Sequence, residues 1–369
     1  MMKKIGILTT YFATNYGAML QPFALKRTLE NLGYEVELIR YKQPKVYSVY
    51  EPITKDKLIH SNGVPAVRYI LRLPKLLKKK HNFMCYMKKY LQPQMGFANS
   101  ISKDKDYYFF GSDQIWNPTV TGGFDDVYFG YFPVKPGARK ISYAASAEDI
   151  DYNKDNCEYL TKALSNFDMI SVREKKLAED LKRVTGHTEI EVTVDPTLLA
   201  DKNVFKEIEH INPLPGKRFV LFYKIRNCTN FTPKIYEYAT KIGAELLVLS
   251  AWYDKDIVTF QKSHKGVTYL PEAGVEYFLG AIQNAEMVFT PSFHGCVFPI
   301  LYHKPFYSLV LSDTWNNRAN DLLTSIELDK RLLRIDGVIT EERIDYEKVD
   351  KLLETRRNQS MDFVLRALQ

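Results

Sequence analysis

Five short stretches set polar side chains directly after apolar runs: Asn15-Tyr16-Gly17, Gly111-Ser112-Asp113-Gln114, Arg173, Lys224 with Arg226, and Ser292-Phe293-His294-Gly295. In open parallel sheets, ligands collect beyond the carboxyl ends of the strands, so these are the candidate binding positions. The last stretch carries the most chemistry. Met287 to Thr290 reads as a strand, Pro291 ends it, and Ser292 can cap a helix from about His294 to Tyr302. His294 then lies in the first helical turn, where backbone N–H groups and the helix dipole favour an anion and disfavour an imidazolium until one arrives. A phosphate or carboxylate ligand would restore the proton, making the histidine a general acid only when substrate is bound. The plain alternative is a histidine that packs or caps.

Arg173 follows the strand Met169 to Val172 and precedes a helix, where a guanidinium can grip a carboxylate or phosphate bidentately; the alternative is a salt bridge to a neighbouring glutamate. Lys224 and Arg226 alternate at a strand end, so both can face a cleft and add positive charge. Asp113 follows the tight Gly111-Ser112 turn and is a candidate base or hydroxyl-orienting carboxylate, or equally an Asx turn or cap. Asp195 precedes Pro196, a pair that often only initiates a turn. Asn15-Tyr16-Gly17 lacks a full dinucleotide or nucleoside-triphosphate fingerprint and specifies a tight strand-to-helix turn.

The elements that position these residues read as alternating α and β. Ile5 to Thr9 is an apolar strand, Leu25, Leu29 and Leu32 recur at helical spacing, Gly33 closes that helix, and Tyr34 to Ile39 is a second strand parallel to the first. Pro22 is expected in the first helical turn, where proline is tolerated. A helical insertion, with fragments near Val67 to Leu77 and Phe83 to Leu91, is expected over about 44–106. Further strands fall at Tyr107 to Phe110, Lys140 to Ala144, Met169 to Val172 and Glu191 to Val194, with helices near Cys157 to Phe167 and Lys175 to Val184. A polar stretch around Asn203 to Lys217 separates a second unit with strands Phe219 to Tyr223, Glu245 to Leu249, Val267 to Tyr269, Met287 to Thr290 and Phe306 to Val310. The expected division is therefore an α/β domain over 1–205, a second over 206–344, and a helical tail over 345–369 that lies back across the first domain.

At 369 residues, two domains are the default. The composition, 45% apolar and 26% charged, is that of a globular chain. Cys85, Cys157, Cys228 and Cys296 form no CxxC pair, and no His/Cys/carboxylate cluster has metal-ligand spacing, so neither a disulfide framework nor a metal centre is expected and a reducing cytoplasm fits best. Lys3 and Lys4 precede an apolar stretch, but no small-residue cleavage site follows. No apolar run approaches the about 18 residues of a spanning helix. The net charge is +7, with much of the excess between Lys75 and Lys89. That patch reads as a solvated helix face or as an attraction to anionic lipid or a phosphorylated acceptor; nucleic acid is not expected, since arginine is not interleaved with aromatics.

Asn15-Tyr16-Gly17-Ala18, Gly111-Ser112-Asp113-Gln114-Ile115-Trp116, Ile170-Ser171-Val172-Arg173-Glu174, Val194-Asp195-Pro196-Thr197 and Ser292-Phe293-His294-Gly295, with Lys304-Pro305-Phe306 trailing, resemble in this order the polysaccharide pyruvyl transferase family. The resemblance implies two Rossmann-like domains with parallel sheets in a GT-B-like architecture, the acceptor on the first domain and the donor on the second. It implies transfer of pyruvate from phosphoenolpyruvate to a saccharide as a ketal, in surface or exopolysaccharide biosynthesis, with no cofactor. His294 and Arg173 fall on the family's catalytic and donor-binding positions. Some members carry an arginine where this chain has Ser292; Lys224, Arg226 or Arg318 would then replace that cation, or the donor differs. A lipid-linked acceptor made at the cytoplasmic face would suit the basic patch through peripheral membrane contact. Two alternatives remain open at this point: a glycosyltransferase using a nucleotide sugar on the same architecture, and a non-catalytic member of the family.

Overall fold

A computed structural model describes residues 2–54, 66–93, 101–148, 150–225, 228–311, 317–340 and 342–369, with backbone alone at 66–68 and 317. The first lobe contains β1 (Lys4–Leu8), β2 (Glu35–Leu38), β3 (Tyr107–Phe110), β4 (Arg139–Ala145), β5 (Met169–Val172) and β6 (Ile190–Val192). Its helices are α1 (Tyr16–Asn31), α2 (Pro44–Tyr50), α3 (Ala66–Tyr86), α4 (Pro118–Thr121), α5 (Lys154–Leu164), α6 (Lys175–Thr185) and α7 (Pro196–Leu199). The second lobe contains β7 (Phe219–Lys224), β8 (Glu245–Ser250), β9 (Val267–Tyr269), β10 (Met287–Thr290), β11 (Phe306–Leu309) and β12 (Leu332–Leu333), with α8 (Thr232–Lys241), α9 (Lys255–Ser263), α10 (Val275–Asn284), α11 (Phe293–Leu301) and α12 (Asn317–Ser325). The chain closes with α13 (Tyr346–Ala367).

Both sheets are six-stranded and parallel at every pairing, in the orders β2-β1-β3-β4-β5-β6 and β12-β11-β10-β7-β8-β9. Strands β3, β7 and β10 are buried at every residue, as expected where helices cover both faces of a sheet. The strand order reverses between β1 and β3 in one sheet and between β7 and β10 in the other, and such switch points open crevices at the strand ends. Asn15 and Gly111 follow the first pair; Lys224 ends β7 and His294 follows β10 in the second.

Three local expectations change. Helix α1 starts at Tyr16, because Asn15 Oδ1 accepts the Gly17 and Ala18 amides at 3.0 and 3.3 Å, so Pro22 lies inside the helix and costs it one ladder bond. Burial of every side chain from Tyr16 to Lys26 offsets that cost. The two helical fragments of the insertion are one helix, α3, continued by a π turn at Met87–Leu91. Its buried positions, 79, 83, 86 and 90, form one stripe, and so Lys79 is only 5% exposed although the surrounding basic segment reads as a solvated face.

Helix α13 does return across the first lobe. Val194 N donates to Ser360 Oγ at 3.0 Å, Arg357 Nε to the Leu198 carbonyl at 2.8 Å, and Tyr107 Oη to the Leu368 carbonyl at 2.7 Å. The lobes also share apolar packing: the Tyr16 ring stacks on Phe278 at 4.4 Å and on Phe83 at 5.4 Å, joining the first lobe, the second lobe and the insertion. Among the described residues, no helix is long and apolar enough to cross a membrane.

Candidate active site

The polar centre of the molecule forms around Asp195, whose side chain is 0% exposed. Its Oδ2 accepts Arg173 Nη1 at 2.7 Å and lies 3.1 Å from Ser112 Oγ, while its Oδ1 accepts the amide and hydroxyl of Thr197 at 3.0 and 2.7 Å. His294 Nε2 stands 3.4 Å from the same Oδ1, within ion-pair distance but not aligned for a hydrogen bond. Burial alone would raise the Asp195 carboxyl; His294 foremost, then Arg173 and Thr197, override it and hold the group well below the usual carboxylate range. Asp195 also caps α7, and that local cap is all its Asp-Pro sequence announces. Its partners Arg173 and His294 come from 22 residues upstream and from the other lobe.

Arg173 leaves the end of β5 and spends three of its five N–H donors inside this cluster: on Asp195, on Glu174 Oε1 at 3.1 Å and on Ser146 Oγ at 2.8 Å. Its guanidinium lies 4.8 Å from the centroid of the Phe293 ring. Burial opposes its charge, but Glu174 and Asp195 more than restore it. The neighbouring-glutamate salt bridge weighed from the sequence is therefore present, together with a second carboxylate. Burial pushes the Glu174 carboxyl up against the pull of Arg173 and Arg318, and Glu174 Oε2 is buried without a hydrogen-bond partner, as is His294 Nε2. Unpaired buried polar atoms are rare in folded proteins, and two in one cluster mark a place suited to a ligand.

His294 occupies the first turn of α11 as its sequence predicts, with Ser292 Oγ accepting the Gly295 amide at 3.2 Å as the cap. The ring lies in the seam between the lobes and is 7% exposed. The anion beside it is a resident carboxylate, Asp195, where the sequence suggested one supplied only by substrate. Gly295 is required by packing, since a Cβ there would stand 2.4 Å from Thr290 Oγ1.

Asn15 and Tyr16 have structural duties: Asn15 caps α1, and the buried Tyr16 hydroxyl donates to the Ala273 carbonyl of the second lobe at 3.0 Å. Gly17 faces His294 directly. Gly111, at φ 127°, passes against the Tyr143 carbonyl, where a Cβ would approach to 2.1 Å. Gln21 Oε1 accepts the Ser112 amide at 3.1 Å and so fixes the turn that presents Asp113. Asp113 is half-buried in the left-handed region at φ 66°, Thr10 Oγ1 donates to it at 3.4 Å, and its carboxylate adds to the field that sustains the Arg173 charge. Gln114 Oε1 accepts the Asn117 side-chain amide at 3.3 Å.

The supplementary cations behave differently from expectation. Lys224 is 2% exposed and bonded to Asp254 at 2.6 Å, so its charge is neutralised within the second lobe because β8 ends beside β7 and brings Asp254 to it. Arg226 lies outside the described residues. Arg318 reaches the seam but is paired with Glu148 at 2.6 Å. It lines, with Arg173, Phe293 and Arg356, a cavity of about 30 Å³, room for a water-sized species. Arg356 was not singled out from the sequence, where nothing but helical periodicity surrounds it.

Two facing parallel-sheet lobes with a charged cluster in the seam define a GT-B-like two-domain α/β protein. Among solved structures, UDP-GlcNAc 2-epimerase from Neisseria meningitidis bound to UDP-GlcNAc is similar over 100% of this chain and 99% of that chain, at 12% identity and a TM-score of 0.50. The S. aureus MnaA-UDP co-structure is similar over 98% of this chain and 90% of that chain, at 14% identity and a TM-score of 0.50. At such identities the likeness is one of fold. No curated protein matches the sequence. The family profile described as polysaccharide pyruvyl transferase matches residues 15–313, and the chain belongs to that family.

Proposed function

We propose that the protein transfers the pyruvyl group of phosphoenolpyruvate to a saccharide as a ketal, in the making of a surface or exported polysaccharide. The observation that carries this reading is the buried His294, Asp195 and Arg173 cluster in the interlobe seam of a chain of this family. The donor bears a phosphate and a carboxylate, and the cluster borders Arg173, Arg318 and Arg356. Because the space beside Arg173 is water-sized, the lobes part to admit the donor and close on it.

His294 gives a proton to the methylene carbon of the donor, leaving an oxocarbenium-like centre at the neighbouring carbon. One acceptor hydroxyl adds there and releases its proton, the carbon–oxygen bond to phosphate breaks, and the second hydroxyl adds in its place. Of the two hydroxyl protons, one replaces the proton given by His294 and the other leaves on inorganic phosphate, so the balance is donor plus diol to ketal plus phosphate. Arg173, with its two remaining N–H donors, and Arg318 hold the anionic groups. Asp195 keeps the imidazole facing the site, and Asp113 orients an acceptor hydroxyl.

A lipid-linked acceptor at the cytoplasmic face of a membrane fits the outer side of α3, where Ile70, Leu71 and Leu77 are 56%, 75% and 41% exposed beside the exposed Lys75 and Lys78. The test is phosphate release from phosphoenolpyruvate that depends on a saccharide, with the product mass read in parallel. His294→Gln is expected to lower turnover about 10²- to 10⁴-fold. A rise in melting temperature with UDP- or GDP-sugars, none with phosphoenolpyruvate, and transfer of sugar in place of pyruvate would overturn the reading.

A further inference from the structure

Glu174 stands at the N-terminal boundary of α6, yet its side chain does not cap that helix. It turns instead into the Arg173 cluster, where it is 6% exposed and its two oxygens are treated unequally. Oε1 accepts Ser146 Oγ at 2.6 Å and Arg173 Nε at 3.1 Å, whereas the buried Oε2 accepts nothing. The other carboxylate of the cluster differs: both oxygens of Asp195 are engaged, Oδ2 by Arg173 and Oδ1 by Thr197. A buried carboxylate oxygen without a donor is costly, and a proton that removes the charge belongs on that oxygen. Oε2 then becomes an O–H, a donor in need of an acceptor.

Glu174 lines the small seam cavity beside Arg173. Among the described residues, the charged groups around that cavity are Arg173 and Asp195 from the first lobe, Arg318 and Asp321 on α12, and Arg356 on α13. Arg173 and Arg318 favour an ionised Glu174, and burial outweighs them. A further anion entering the seam would repel a Glu174 carboxylate but accept a hydrogen bond from the acid. A buried carboxylic acid kept neutral so that it can donate is a known arrangement in enzyme sites.

We infer that Glu174 is a further ligand-binding residue that acts as a neutral acid, its Oε2–H donating to a phosphate or carboxylate oxygen of the anion held by Arg173. Anion binding is thereby linked to a proton on Glu174. That the anion is the donor substrate rests on the pyruvyl-transfer reading; the pairing of the acid with an oxyanion rests on the cluster alone.

The test is calorimetric binding of sulfate and of pyruvate to the full native chain and to Glu174→Gln, since neither probe changes charge between about pH 5 and 9. The amide copies the shape of the acid and donates from the same place, but it cannot lose a proton. Affinities of the two proteins are expected to agree within about threefold in mild acid and to diverge above the pH at which the native acid ionises, the variant gaining up to about tenfold over the native chain per further pH unit. Every other titrating group is shared and drops out of the ratio. The probe that shows the divergence assigns the recognised group, sulfate for a phosphate and pyruvate for a carboxylate. Glu174→Asp, a titrating group drawn back by one methylene, should bind more weakly and keep the native pH dependence. On the native chain, the anion should also shift a carboxylic-acid C=O infrared band. Parallel curves at every pH, a glutamine variant that binds more tightly already in mild acid, no binding of either anion at millimolar concentration, or an unmoved infrared band overturns the inference. Diverging curves without any pyruvyl transfer would sink the proposed reaction alone; pyruvyl transfer by a chain whose curves run parallel would sink the inference alone.

Discussion

A Cβ built on Gly17 would stand 2.0 Å from His294 Nδ1, so the first turn of α1 in one lobe and the first turn of α11 in the other meet at a residue that has no side chain. The contact sets the histidine ring between a glycine and Asp195, and it makes the alignment of that ring depend on how the lobes close.

Gly17→Ala should therefore displace the ring or hold the lobes apart. The expected stability loss is about 1–3 kcal/mol, and a shift of the order of an ångström at a reacting group costs roughly 10²-fold in rate. Chemical denaturation and saccharide-dependent phosphate release read the two effects separately. Unchanged turnover would mean that His294 can move freely without consequence.

Asp195→Asn keeps the shape of the hub and removes its charge, leaving Arg173 with Glu174 alone and His294 with no carboxylate. Breaking a buried ion pair costs about 3–5 kcal/mol. The native carboxyl is held below its unfolded value, so its contribution is fully present above the ordinary carboxylate range and is lost as pH falls through and below that range. The native protein should thus lose stability steeply in acid, and the variant should start lower with a shallower acid slope in urea titrations.

Lys79 donates to the carbonyls of Ser250 and Ala251 at 2.7 and 2.8 Å, and burial brings its ammonium down to about 7. Between pH 7 and the ordinary lysine value of 10.5, the unfolded chain binds the proton and the folded one does not, so stability rises with pH across that window. The slope from this one group approaches about 1.4 kcal/mol per pH unit. Lys79→Met should flatten it, and an identical slope in the variant would assign the rise to other groups.

Ser292→Ala removes the cap of α11 and the hydroxyl partner of Tyr223. A loss of about 1 kcal/mol is expected from the cap. Because the same turn carries His294, turnover should fall more than stability does, and a fall in stability alone would show that the cap and the histidine are independent.

Much of this protein is determined by near neighbours in the chain. Apolar runs of four to six residues fix the strands β3, β5, β7 and β10, Gly111 and Pro291 mark the ends of β3 and β10, and Ser292 before His294 fixes a capped helix, because these choices depend on residues within about one turn or two strand positions. The same local signals misplace Pro22, since the Asn15 cap and the burial of α1 outweigh the proline. Electrostatic pairing obeys a different rule: a charge is satisfied by whatever the tertiary fold brings within a few ångströms. So Asp195, locally a turn residue, becomes the hub of Arg173 and His294; Lys224 and Arg318, locally free cations, are bonded to Asp254 and Glu148; and Lys79, locally one more surface lysine, is buried on two carbonyls of the other lobe. Segments tens to hundreds of residues apart must meet before any of these contacts exists, and no periodicity along the chain encodes that meeting.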